Sequence, residues 1–475
     1  MRSLLAEEAQ IISALQDLPV ALLPQLFLEA YARRYKAALK VMVQDWPFRC
    51  LPLGCFIEDL LTEYFRINAV LDGLDALLTQ KVRSRRCKLE ILDLRHSPQK
   101  FWSQWCDVKL CKYSVLKRPM PEGSVVKKHH SASLEVLLDV FLMGGALDEL
   151  SLRITEWART RNYVHLCCKR LTCMDTFISP GVLSSLQLDC IQEVEARFTE
   201  HMFTFAMFVP LLGRMRRLQR LLLSVLVCNH TSTEDLNGQE HLVALFTSQL
   251  AQLHGLRELY LDSPVFLKGQ LEQVLRCLRT PLETLSLTEC PLLEQDMTHL
   301  CQCANLTQLK ELSLRGTSLS LVREPLRLLL ENCVSTLQDL DLGICGLQDS
   351  HLEAILPALK LCSQLSVLSF YGNRVSMATL VQMLRHLAGL PHLTLEVYPA
   401  LQESYIAPNT LHQRTFDLLC AELRGVLRDL GKPRSILLST MSCSCCGKIM
   451  FHNCEPMLFP VSCYNGLIQK ISFPN

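Results

Sequence analysis

Leu256-Arg-Glu-Leu259-Tyr-Leu261, Leu282-Glu-Thr-Leu285-Ser-Leu287, Leu309-Lys-Glu-Leu312-Ser-Leu314, Leu337-Gln-Asp-Leu340-Asp-Leu342 and Leu365-Ser-Val-Leu368-Ser-Phe370 are five versions of one string, LxxLxL. Their starts are separated by 26, 27, 28 and 28 residues, inside the roughly 20 to 29 residue period of leucine-rich repeats. Matched decoration follows each string. The ninth position holds Pro264, Cys290, Thr317, Cys345 and Asn373, and two residues later comes an apolar plug: Phe266, Leu292, Leu319, Leu347 and Val375. An Asn, Cys or Thr side chain at the ninth position is suited to pair backbone groups where the chain leaves the strand, because buried main-chain groups need partners.

An amphipathic helix begins 15 residues after the string starts in four repeats and 17 in the other. Its apolar positions fall at i, i+3, i+4 and i+7: Leu271/Val274/Leu275/Leu278, Met297/Leu300/Cys301/Ala304, Leu326/Leu329/Leu330/Cys333, Leu352/Ile355/Leu356/Leu359 and Leu380/Met383/Leu384/Leu387. Strand, turn and helix in repetition predict an α/β fold, a leucine-rich-repeat solenoid (horseshoe) with a parallel concave sheet, convex helices and an N-terminal helical cap. No single unit buries both its strand face and its helix face, so neighbours must stack. The positions between the leucines then line a concave substrate face: Arg257, Glu258, Tyr260, Glu283, Lys310, Glu311, Asp339 and Asp341. Both charge signs there suit a protein partner and not a phosphate backbone.

Upstream the pattern weakens but persists in Leu218-Gln-Arg-Leu221-Leu-Leu223 and Leu89-Glu-Ile-Leu92-Asp-Leu94, with divergent strands expected at 164–173 and 186–194. Three regions follow: a helical 1–88 without the repeat; a solenoid over 89–440, divergent at 89–255 and regular at 256–400; and a Cys-rich 441–475. The aperiodic 107–133, with Pro119, Pro121, Gly123 and Lys127-Lys128-His129-His130, reads as an exposed loop. In 1–88, Pro19 follows a helix boundary and the leucines after it mark one apolar face, as expected of helices that cover the first repeat's open edge.

Composition narrows the function classes. Lys plus Arg total 48 against 47 Asp plus Glu, so no net field draws the chain to nucleic acid or to an acidic membrane. Many of the 23 cysteines stand where a repeat takes a leucine or small residue, which reads as reduced thiols in the cytoplasm or nucleus. The opening residues, Met1-Arg-Ser-Leu-Leu-Ala-Glu7-Glu8, lack the apolar run of a secretory signal. The longest uncharged apolar stretches, 18–28 and 202–213, fall short of the ~20 residues that cross a bilayer. With no P-loop, dinucleotide glycine pattern, HExxH or G-x-S-x-G, no enzyme and no cofactor are expected. Cys443-Ser-Cys445-Cys446-Gly447 leaves two readings: a structural zinc held by Cys443 and Cys446 with two of His452, Cys454 and Cys463, or reduced terminal cysteines. The basic run Lys81, Arg83, Arg85, Arg86 and Lys88 is either an import signal or a solvated helix end.

Several strings together resemble the PRAME family of leucine-rich-repeat proteins across nearly the whole chain. They are Ala14-Leu-Gln-Asp-Leu-Pro19, Leu26-Phe-Leu-Glu-Ala30, Lys40-Val-Met-Val-Gln-Asp-Trp-Pro-Phe48, Cys50-Leu-Pro-Leu-Gly54, Lys88-Leu-Glu-Ile-Leu-Asp-Leu-Arg95, Leu166-Cys-Cys-Lys169 and Leu368-Ser-Phe-Tyr-Gly-Asn373. The resemblance implies a substrate-recognition subunit of a Cullin-2 ubiquitin ligase, docked through Elongin B/C, that sends a protein to proteasomal degradation. On that reading the cullin box falls on Leu18, Pro19, Leu22 and Leu26. The elongin box falls on Leu5 and Ala9, with Ser13 where an aliphatic residue belongs. The alternative it implies is a scaffold without a ligase: a corepressor of retinoic-acid-receptor type, or a regulator of germ-cell and embryonic proliferation, differentiation and apoptosis. LxxLL strings of the kind a nuclear receptor binds occur at 74–78, 134–138, 218–222 and 326–330, each on an expected core face.

Overall fold

The computed structural model describes residues 8–15, 17–56, 60–80, 83–95, 102, 134–143, 146–174, 187–199, 202–226, 236–320, 323–407, 410–431, 435–440 and 451–453. The expected loop at 107–133, Leu5, Cys443 and Cys446 lie outside the described residues. Two compact units divide the chain, Met1–Ile191 and Gln192–Asn475.

In the first unit, helices α1 (Glu8–Ala14), α2 (Leu23–Arg33), α3 (Lys36–Gln44) and α4 (Leu60–Thr79) accompany the strands β1 (Cys50–Pro52), β2 (Ile91–Asp93), β3 (Leu134–Met143), β4 (Ala146–Leu147) and β5 (Val164–Met174), with α5 (Glu149–Arg159) before the last. Strands β1, β2, β3 and β5 are parallel neighbours in that order, and β4 folds back antiparallel on β3. A strand at Cys50–Pro52 inside the region expected to be purely helical is a difference from the sequence reading. It pairs with β2 in the Leu89–Leu94 string and is held as well by two indoles outside that string: Trp46 Nε1 donates to Cys50 O at 3.0 Å and Trp102 Nε1 to Pro52 O at 2.6 Å. Both indoles pack against Phe27, with ring centroids 5.2 and 5.9 Å away. Burying such rings while their N–H finds a carbonyl gives this corner its core without repeat chemistry.

The second unit carries the regular repeats as an α/β leucine-rich-repeat solenoid. Strands β6 (Glu193–Phe198), β7 (Arg220–Val225), β8 (Glu258–Asp262), β9 (Thr284–Thr288), β10 (Glu311–Ser313), β11 (Asp339–Asp341), β12 (Val367–Ser369) and β13 (Leu395–Pro399) run parallel in sequence order. The short hairpin β14 (Tyr405–Ala407) and β15 (Thr410–Leu411) precedes β16 (Ser435–Ser439), which joins β13, and β17 (Phe451–Asn453) closes antiparallel on β16. The register is the one the strings dictate: Leu221, Leu259, Leu285, Leu312, Leu340 and Leu368 are successive partners, and all are buried. Helices α6 (Met202–Leu212), α7 (Leu236–Leu250), α8 (Leu271–Cys277), α9 (Glu294–Gln302), α10 (Arg323–Asn332), α11 (Asp349–Leu361) and α12 (Met377–Leu387) intervene, and the apolar faces read from the sequence for α8 to α12 are buried except at Ala304, which lies past the end of α9 and is exposed; α13 (Gln413–Leu430) follows.

Three of the five ninth-position side chains pair backbone groups as their chemistry predicts. Thr317 Oγ1 donates to Leu287 O, Cys345 Sγ to Leu314 O and Asn373 Nδ2 to Leu342 O, at 3.1, 3.1 and 2.8 Å. Each reaches the strand-end leucine of the preceding repeat. Asn373 also accepts from Cys345 N and Leu347 N through Oδ1, at 3.0 and 2.9 Å. The position just before it is left-handed in every repeat, with φ of 51° at Ser263, 50° at Glu289, 71° at Gly316, 57° at Ile344 and 70° at Gly372. This reverses the chain out of the strand. Described cysteines are free thiols, and burial pushes Cys290 and Cys333 up to about 12 and Cys362 up to about 11. These three act as small apolar residues and not as nucleophiles.

Candidate docking and recognition surfaces

Among the N-terminal residues expected to dock a partner, the fold separates core from surface. Ile11 and Leu15 of the first helical stretch are buried, while Ala9 is exposed. Of the cullin-box positions, Leu26 is 3% exposed and packs inside, Leu18 and Leu22 are half-buried, and Pro19 is exposed. The turn Val20–Leu22 adds Val20, 42% exposed, to this apolar edge. Arg86, expected in either a solvated or an import-type basic run, holds the edge in place: Nη1 donates to Leu15 O at 3.0 Å and Nη2 to Leu18 O at 2.6 Å. A guanidinium satisfying the last carbonyls beyond a helix is a fixed anchor for the chain that follows. The four LxxLL strings have their leucines buried, Leu78 alone being half-buried, and two of them lie in strands, at β3 and β7.

In the second unit Arg257 is exposed and Glu258, Tyr260, Glu283, Lys310, Glu311 and Asp339 are half-buried, whereas Asp341, expected on the same surface, is buried; the register orders these positions into rows. The first variable position carries Arg257, Glu283 and Lys310, where Arg257 Nη1 and Lys310 Nζ both meet the Glu283 carboxylate, at 3.1 and 2.6 Å. The hydrogen bond from Lys310, helped by Arg257, holds the Glu283 carboxyl below the usual range. Within the strands the next row reads Glu193, Arg220, Glu258, Thr284, Glu311 and Asp339 in register. The cations therefore gather at one margin and the strand row itself is acidic around a single Arg220. Arg220 sits 4.8 Å over the Tyr260 ring with its Nε 3.6 Å from Glu258 Oε2, and Tyr260 OH donates to the same carboxylate at 3.1 Å. Burial, opposed by Arg220, raises the Tyr260 phenol. Such stacking orders the guanidinium.

Asp339 and Asp341 differ although they share a strand. Asp339 Oδ1 accepts from Ser366 Oγ at 2.8 Å and remains half-buried. Asp341 is buried, its Oδ1 accepting from Gly343 N at 3.0 Å, and burial pushes its carboxyl up to about 6 against the opposing pull of Gly343 N–H, Ser369 and Arg315. Arg315 Nη1 in turn donates to Tyr371 OH at 3.3 Å. The sequence reading did not single out Arg220, Arg315 or Tyr371. Arg220 was detectable, since it holds a variable position of Leu218–Leu223; Arg315 and Tyr371 follow their strings and carry no periodic mark.

Stacked strand-turn-helix units presenting an ordered row of charged and aromatic side chains define a leucine-rich-repeat solenoid. No helix among the described residues is long and apolar enough to cross a membrane. Two family models cover the chain: the PRAME N-terminal domain matches residues 1–102 and the PRAME C-terminal domain residues 134–460. Similar curated proteins include human PRAME family member 12, 45% identical over 98% of this chain and 97% of the relative, and human PRAME family member 20, 42% identical over 96% of each. The chain belongs to the PRAME family.

Proposed function

We propose that the protein is a substrate-recognition subunit of a Cullin-2 ubiquitin ligase, docked through Elongin B/C, whose repeats choose a protein for proteasomal degradation. The observation that carries this reading is the apolar edge Leu18, Pro19, Val20 and Leu22, left at the surface and anchored by Arg86. Exposed apolar residues on a rigid support mark a site for a partner. The ligase chemistry would belong to that partner. The acidic strand row of the second unit favours a basic segment of the substrate, with Arg220 and Tyr260 as its central contacts.

The experiment is a pull-down of the full chain with Elongin B/C and Cullin-2, beside a Pro19→Ala, Val20→Asp, Leu22→Asp variant whose fold is checked by circular dichroism. Loss of binding in the folded variant supports the adaptor and locates its docking edge. Failure of the native chain to bind sinks it. A second reading, a scaffold without a ligase, has its own support: Ile11, Leu15 and Leu26 are spent on the core, which is what a cap needs and a docking helix does not.

A further inference from the structure

Strand alternation sorts β5 into two faces. Leu166 and Cys168 point with the core leucines, whereas His165 and Cys167 occupy the opposite face, in register with Glu135 and Leu137 of β3. Cys190, 23 residues beyond Cys167, ends a tight helical turn at Leu188–Cys190 and comes up against the same face. Cys190 Sγ lies 3.8 Å from His165 Nε2, and the donor atoms of all three residues are within 4.8 Å of one another.

We propose that His165, Cys167 and Cys190 form a three-ligand zinc site whose fourth position opens beside the exposed imidazole. Zn–S of ~2.3 Å and Zn–N of ~2.0–2.1 Å in a tetrahedron place the donors roughly 3.6–3.8 Å apart, and the Cys190–His165 separation is already there. The two thiols are buried against Leu137 and the partly buried Ile91, which shields thiolates from water, while His165 is exposed. Among the described residues no fourth His, Cys, Asp or Glu joins the group. Soft sulfur with imidazole selects zinc over magnesium or calcium. Three protein ligands leave the last position to water or to a donor from a bound protein, as in open zinc sites. Binding releases the two thiol protons as the thiolates form on the ion.

The test uses the full chain, purified reduced, with Cys443, Cys445, Cys446, Cys454 and Cys463 changed to Ser so that the terminal segment contributes no thiolate. Cobalt(II) is titrated as the probe and then displaced by zinc. One equivalent with thiolate-to-cobalt charge transfer and tetrahedral ligand-field bands is expected. Cys167→Ser and Cys190→Ser should abolish the charge transfer. His165→Ala, at an exposed position, should weaken binding of the ion by about tenfold or more while the metal-free melting temperature changes little. No stoichiometric ion, a Cys167–Cys190 disulfide that persists under the reducing conditions, or a spectrum unchanged by His165→Ala and Cys167→Ser overturns the proposal.

Discussion

Asp341→Asn tests the electrostatics of the parallel sheet with almost no change in shape. Asn keeps an oxygen for Gly343 N–H and removes the charge. In the folded chain burial raises the Asp341 carboxyl from 3.8 to about 6, about two pKa units, and each unit corresponds to ~1.36 kcal/mol. Because the folded value lies above the unfolded one, protonation favours the fold. That contribution is complete below about pH 4 and is lost as pH rises through about 6. The native protein should therefore lose up to about 3 kcal/mol relative to Asp341→Asn between pH 4 and pH 7.5. Arg315, Ser369 and Gly343 N–H, the groups that oppose the shift, remain in both proteins. Urea midpoints at pH 4, 5.5 and 7.5, followed by far-ultraviolet circular dichroism, read the difference, and every other titrating group cancels in the comparison. A stability gap that stays constant over this range refutes a buried, uncompensated carboxylate.

Three further substitutions probe the turn that ends each strand. Asn373→Ala strips partners from the N–H groups of Cys345 and Leu347 and from the carbonyls of Leu342 and Phe370; at ~1–3 kcal/mol for a stranded buried group, urea denaturation should show a loss of about 3 to 5 kcal/mol. Gly372→Ala should destabilise, because φ is +70° and the added Cβ would stand 2.8 Å from Ile344 Cγ1. Ile344→Gly, at φ 57°, should instead be neutral or stabilising by about 1 kcal/mol, since a left-handed L-residue costs ~1–2 kcal/mol. In the double variant the Gly372→Ala penalty should shrink, as the clashing atom is gone; equal penalties in both backgrounds would show that the contact is not the cause.

The regular repeats were legible because their chemistry recurs. The leucine period predicts the strand register, the residue types Thr317, Cys345 and Asn373 predict that backbone groups at the strand exit find side-chain partners, and helix periodicity predicts the buried residues of α8 to α12 except at Ala304. The left-handed position before the ninth residue was not legible. Glycine marks it at 316 and 372, but Ser263, Glu289 and Ile344 hold it elsewhere, residue types that do not advertise a positive φ and are forced into it by flanking repeats. The strand at Cys50–Pro52 is illegible for a different reason: it carries no repeat pattern of its own, and its backbone is fixed by the Trp46 indole four residues before it, the Trp102 indole fifty residues after Pro52, and pairing with β2.

The surfaces were harder than the core for one physical cause. Periodicity is imposed by burial, so it reports which residues turn inward and only by subtraction which turn outward. On the N-terminal helices the subtraction fails, because Leu18, Leu22 and Leu26 share one spacing while burial takes Leu26 and leaves the other two at the edge. On the strands it succeeds for position but not for company. His165 and Cys167 are visibly outward once Leu166 is inward, yet nothing in their spacing brings Cys190 to them. That meeting depends on where a tight turn delivers the chain after a stretch without repeat pattern. A site assembled from two segments is therefore a property of the fold, and its ligands carry a sequence signature only when the connecting segment is short enough to fix their geometry, as it is in a C-x-x-C step and is not between Cys167 and Cys190.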